Sequence, residues 1–165
     1  MKKIFIAAFT LATLSAAAHG TAKKTTLFIP ATVSSSFNAN FPDVSNPSWS
    51  WDQQYLKATF VEGTTSANAF FSSDGTLEGT IKSANFYALP ASAQEHINNK
   101  YKDYTVEETI LFTDNDPYVD SRMFGYEDSP SNYFVSLKKD NKELILKVDL
   151  DGSVSYYHED TLKGK

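Results

Sequence analysis

The chain has 165 residues, with 15 Lys and Arg against 20 Asp and Glu, a formal charge of −5 and no cysteine. That balance repels phosphate backbones and anionic lipid, which argues against nucleic-acid partners and membrane-surface binding. The missing cysteines exclude disulfides, thiolate chemistry and a lipid-attachment cysteine. With 12 Phe and 9 Tyr against 7 Gly and 6 Pro, the composition is that of a packed domain and not of a disordered or collagen-like polymer.

Lys2 and Lys3 precede an apolar run from Ile4 to Leu14 and then the small residues Ser15, Ala16, Ala17 and Ala18. That is the three-part export signature. Residues 1–22 are therefore expected to be a signal peptide, cleaved after Ala18, Gly20 or Ala22. The run is shorter than the roughly 20 apolar residues that span a bilayer, and no later segment approaches that length, so no membrane insertion is expected after cleavage. Losing Lys2 and Lys3 with the signal takes the charge two units further, from −5 to −7. Export without disulfides fits a bacterial periplasm, with secretion as the alternative.

The remaining chain, 23–165, contains an internal similarity. Ile29-Pro30-Ala31-Thr32-Val33 aligns with Leu89-Pro90-Ala91-Ser92-Ala93 at an offset of sixty, and Val33, Phe37 and Phe41 fall on Ala93, Ile97 and Tyr101. Apolar residues four apart behind a proline predict a helix with one buried stripe. Further on, Ser73-Asp74-Gly75-Thr76-Leu77 aligns with Leu150-Asp151-Gly152-Ser153-Val154 at an offset of seventy-seven. The change of offset puts about seventeen extra residues of the second copy near Thr113 to Asn132.

Alternating runs at Leu56, Ala58 and Phe60, then Ala67, Ala69 and Phe71, predict strands with one buried face. Tyr133, Val135 and Leu137, then Leu144, Leu146 and Val148, repeat the pattern. Asp74-Gly75 and Asp151-Gly152 read as two-residue hairpin turns of the primed type. The expected fold is α+β: two tandem helix-plus-antiparallel-meander repeats, about 27–84 and 87–160, forming one curved sheet with helices on one face. A single domain is expected, because one helix on one small sheet buries too little alone.

The export signal, the Phe37-x3-Phe41-Pro42 helix end, Trp49 to Trp51, the strand Tyr55-Leu56-Lys57-Ala58-Thr59-Phe60 and the paired Asp-Gly turns together resemble the exported PepSY-like proteins, which are similar to the beta-lactamase inhibitor protein. The resemblance covers nearly all of the chain beyond the signal. It implies a two-repeat α+β fold, a concave sheet face suited to gripping another protein, and a role in restraining peptidases. The chain departs from that inhibitor in having no cysteines, whereas the inhibitor carries disulfides.

Catalytic motifs are sparse. There is no Gly-x-Ser-x-Gly elbow, and Ser136-Leu137-Lys138-Lys139 matches a Ser-x-x-Lys pattern on a strand instead of at a helix start. His96 is expected on the polar side of the second helix and His158 in a C-terminal tail, both solvated and neither at metal-ligand spacing. Asp149-Leu150-Asp151-Gly152 starts like a calcium loop, but its twin Ser73-Asp74-Gly75 lacks the first aspartate, so turning the chain is the shared role.

The stretch from Thr113 to Asp128 is acidic and carries Tyr118, Phe124 and Tyr126. Long loops inside compact domains are often functional, and aromatic residues beside acids suit a protein contact. Trp49 and Trp51 project to one face of a strand, either as core or as the anchor of a binding surface, and Tyr55 follows on the next strand. The expectation is a non-enzymatic exported module, without cofactor or metal, that holds an unknown protein or peptide. Its candidate contacts are Trp49, Trp51, Tyr55, Tyr118, Phe124 and Tyr126. The alternative is a small-ligand or calcium sensor using Asp114, Asp116 and Asp120.

Overall fold

The computed structural model describes residues 27–115 and 131–162. Helix α1 (Ala31–Asn40) is followed by strands β1 (Ser48–Asp52), β2 (Tyr55–Glu62), β3 (Thr65–Phe71) and β4 (Leu77–Ser83). A short 3-10 turn (Phe86–Ala88) leads into α2 (Ala91–Lys100), then β5 (Thr105–Asp114), β6 (Ser131–Lys139), β7 (Lys142–Asp149) and β8 (Val154–Thr161). The eight strands form one antiparallel sheet in sequence order, open at β1 and β8.

Each helix starts directly after a proline, whose missing N–H costs nothing where the first helical donors have no partner anyway. Val33, Phe37 and Phe41 face the sheet from α1 and pack on Leu56, Ala58, Phe60, Ala67, Ala69 and Phe71. Ala93 and Ile97 do the same from α2, on Val135, Leu137, Leu144, Leu146 and Val148. Following the pairs Leu56↔Phe71, Ala69↔Thr80, Thr80↔Thr113, Thr109↔Val135 and Val135↔Leu146 across the sheet keeps every one of these residues on the same side. Both helices therefore lie on one face, α1 over β1 to β3 and α2 over β6 to β8. Each buried Phe, Leu or Val there contributes about 1.5–3 kcal/mol.

The two Asp-Gly hairpins are built alike, but not as two-residue turns. Gly75 N–H donates to Ser72 O and Ser72 N–H to Thr76 O; Gly152 N–H donates to Asp149 O and Asp149 N–H to Ser153 O. Three residues thus bridge each pair of strands. Glycine alone in each loop takes positive φ, +98° at Gly75 and +92° at Gly152, whereas a primed turn of that kind would need the aspartate there as well. The aspartates act through their side chains: Asp74 Oδ1 accepts from Thr76 N–H at 2.9 Å and Asp151 Oδ1 from Ser153 N–H at 2.8 Å. The bond from the Ser72 hydroxyl and then that from Thr76 hold the Asp74 carboxyl below its usual range, and the bond from Ser153 does the same for Asp151.

Each glycine also presses against a helix start. A Cβ on Gly75 would lie 2.9 Å from Thr32 O, and one on Gly152 would lie 2.1 Å from Ser92 Oγ. The β1–β2 connection is Gln53-Gln54, whereas β5 and β6 are joined through 115–130, the stretch to which the change of offset points.

Candidate binding face

The expectation of a single buried face per strand is corrected by the central strands. On the side away from the helices, Phe70, Ile81, Ile110, Phe112, Phe134 and Ile145 form a second apolar cluster, each 1–7% exposed, with Tyr55 and Tyr157 packed against it. No described helix or strand lies over this side. The Phe112 ring crosses the backbone of β4, where a Cβ on Gly79 would come within 2.9 Å of Phe112 Cε2. Phe134 meets Tyr157 edge to face at 4.9 Å between ring centroids. The signal for this belt stands in the sequence as unbroken apolar runs, Phe70-Phe71, Ile110-Leu111-Phe112, Phe134-Val135 and Leu144-Ile145-Leu146, which a one-sided alternation leaves unexplained.

Polar side chains frame the belt, paired across strands or, for Lys147 and Asp149, along one. Thr59 Oγ1 donates to Asn68 Oδ1 at 2.7 Å, and Lys57 is ion-paired to Asp52 at 2.8 Å. Buried Lys147 lies 3.0 Å from Asp149, whose Oδ1 also accepts from the Asn132 amide at 2.6 Å once that amide is oriented to donate. Ser136 Oγ donates to Glu143 Oε1 at 2.6 Å. Opposite Ser136, Glu108 is pushed up to about 7, chiefly by burial and then by the Glu143 carboxylate. Burial also raises the Tyr157 phenol.

Ser136 has Glu143 as its partner instead of a lysine, which gives no nucleophile of the Ser-x-x-Lys kind. His158 lies in β8, paired with Ile145, and not in a tail. Its Nε2 is shut off from solvent 3.0 Å from Asp160 Oδ1, too poorly aligned for a hydrogen bond. His96 is exposed on α2 beside the Tyr101 ring. Among the described residues no three His, Asp or Glu side chains converge as a metal-binding group.

The aromatic residues singled out from sequence do not converge. Trp49, paired with Ala58, packs into the helix-side core against Phe37 at 5.5 Å and Phe71 at 6.0 Å. Trp51 shares that side of the sheet but is 51% exposed at the β1 edge. Tyr55 points to the other side, at the margin of the apolar belt. Tyr118, Phe124 and Tyr126 lie outside the described residues, as do Asp116 and Asp120, while Asp114 ends β5.

No family model matches the chain, and no curated protein matches it. Solved structures do match. A BLIP-like protein from Bacteroides fragilis superposes with a TM-score of 0.66 at 14% identity, over 84% of this chain and 91% of that one. A candidate periplasmic protein from Bacteroides eggerthii gives 0.65 at 14%, over 81% and 89%, and a DUF2874 family protein from Bacteroides ovatus gives 0.63 at 16%, over 81% and 88%. The chain has a BLIP-like fold, and among its described residues no helix is long and apolar enough to cross a membrane.

Proposed function

We propose that this BLIP-like fold is an exported, non-enzymatic module of the periplasm that holds a protein or peptide on the helix-free side of its sheet. The carrying observation is the face itself: a tightly packed apolar floor gives rigidity, and the polar pairs around it are held in register across strands. Prearranged groups of this kind lower the ordering cost of binding. Half-exposed Tyr55, Lys57, Thr59 and Asn68, with exposed Val61, form its accessible part on β2 and β3. Trp51 and Tyr55 flank the β1–β2 turn on opposite sides, so a partner wrapping that corner meets both. Tyr118, Phe124 and Tyr126 are proposed as further contacts on sequence grounds alone, from an aspartate-rich stretch that favours a basic partner.

The two halves, each a helix and four strands, are read as a tandem duplication within one domain. The equivalent contacts of Gly75 on Thr32 and Gly152 on Ser92 support that reading. The export signal at 1–22 and the neighbour described as periplasmic support the location.

The test is capture from periplasmic extract on immobilised protein, run beside a Trp51→Ala, Tyr55→Ala variant and a Tyr118→Ala, Phe124→Ala, Tyr126→Ala variant, with and without calcium. A protein kept by the native chain and lost by either variant supports the reading. Calcium-dependent capture that ignores the aromatic substitutions favours a sensor. Capture of nothing from a complete extract counts against a stable protein partner.

A further inference from the structure

Three residues on three neighbouring strands line up at one end of the helix-free side, with Ser136 hydrogen-bonded to Glu143 and paired in register with Glu108. A β-bulge between Val106 and Glu108 shifts the β5 register and sets Glu108 opposite Ser136 of β6. Ser136 is 4% exposed, and its hydroxyl hydrogen is already given to Glu143 of β7. A hydroxyl has one donor and two acceptor sites, so Ser136 has only lone pairs left. An ionised Glu108 also has only lone pairs and cannot bond it, whereas a protonated Glu108 can donate to it. The row Glu108, Ser136 and Glu143 is completed by a proton on Glu108.

The surrounding charges do not offer another solution. Lys138, two residues on from Ser136 and opposite Glu143, is exposed, and among the described residues no lysine is ion-paired to Glu108 or Glu143. Lys139 and Lys142 are engaged with Asp103 and Glu159. From β8, Asp160 stands opposite Glu143 and His158 opposite Ile145, 3.0 Å from Asp160, while the Tyr157 phenol sits over Phe134 and stays neutral. From β4, the neighbour is the neutral end at Ser83, which pairs with Ile110.

We propose that Glu108, Ser136 and Glu143 form a proton latch: one proton on Glu108 ties β5 through the Ser136 hydroxyl to Glu143 on β7, and its loss to water leaves two like charges on either side of Ser136 that loosen this end of the face. The latch is closed in mildly acidic surroundings and opens as the pH passes neutrality. The raised affinity of Glu108 for its proton, which has burial as its main cause and Glu143 as its second, runs in the same direction. Groups that share a proton titrate as a pair, so the step is felt by both carboxyls.

The test is carbon-detected NMR of the glutamate carboxyls in the whole chain from pH 4 to 9, with hydrogen exchange of the β5 and β6 amides. The latch predicts that Glu108 and Glu143 both report a step near 7. Above it, the protection of the Thr109 and Ser136 amides, corrected for intrinsic exchange, drops by about tenfold. Ser136→Ala, which removes the bridge but neither carboxyl, moves the Glu108 midpoint down and erases the Glu143 step. Glu143→Gln also lowers the Glu108 midpoint. A Glu108 midpoint that stays near 7 in Ser136→Ala, with Glu143 silent in the native chain, overturns the latch in favour of burial alone. So does a native midpoint for Glu108 in the ordinary carboxylate range. Because the native chain and Ser136→Ala decide the matter, it does not hang on whether Glu143→Gln folds.

Discussion

Gly152→Ala separates two penalties that the structure places at one atom. At φ +92° an alanine carries the left-handed strain that glycine escapes, about 1 kcal/mol. Its Cβ would also sit 2.1 Å from Ser92 Oγ and 3.1 Å from Pro90 Cβ. Ser92 relieves part of the first overlap by turning about χ1, but the proline ring at the start of α2 has nowhere to go, so overpacking adds about 1–2 kcal/mol. The expected loss is about 2–3 kcal/mol, read from urea unfolding followed by the fluorescence of Trp49, which is packed between Phe37 and Phe71. In a Ser92→Ala background the hydroxyl is absent and the loss shrinks by about 0.5–1.5 kcal/mol, a coupling that a double-mutant cycle measures. At Gly75 the nearest atom is the backbone Thr32 O at 2.9 Å, so Thr32→Ala gives Gly75→Ala no such relief. Equal losses for Gly152→Ala in both backgrounds, or a loss under about 0.5 kcal/mol, would refute the packing argument.

Other outcomes follow from the same geometry. Phe37→Ala empties the centre of the α1 cluster, where the ring meets Phe41, Trp49, Phe60 and Phe71, and is expected to cost about 3–5 kcal/mol in the same unfolding assay. Trp51→Ala, at a half-exposed edge position, should change stability by less than about 1 kcal/mol, so any larger effect on capture reports contact with a partner. For pH, Glu108 binds its proton more tightly folded, at about 7, than unfolded, at 4.5. Its stabilisation is complete below the lower value and is lost as the pH rises through the higher one. The full shift corresponds to about 3.4 kcal/mol, which solvent screening of a half-exposed group reduces to about 1–2 kcal/mol. Native protein should lose that much more stability between pH 5 and 8 than Glu108→Gln does.

The helices were legible because two physical rules coincide in each: a proline that starts the helix, and apolar residues four apart, at Val33, Phe37 and Phe41 and again at Ala93, Ile97 and Tyr101. The helix-side strands were legible for a similar reason, since Leu56, Ala58 and Phe60 alternate with polar neighbours. The second apolar cluster was not, because residues such as Phe70 and Ile145 occupy the places where alternation expects polar ones. Only three-dimensional pairing places those residues together on the side without helices. His158 reads as a tail residue because β8 carries Glu159 and Asp160, charges that protect an edge strand from pairing further and make it look like a loop. Trp49 and Trp51 share a side, as their spacing requires, but only packing separates the core residue from the exposed one. The Glu108 cluster depends on a bulge, which no periodicity announces.

Whether a partner is held on the helix-free side is decided by placing a photo-crosslinking phenylalanine analogue at exposed Val61 on that side, or at exposed Asn98 on α2, and irradiating intact cells. A discrete protein adduct is expected from position 61 and none from position 98, with the adduct diminished by Tyr55→Ala. Adducts from position 98 alone would contradict that expectation and move binding to the helical side.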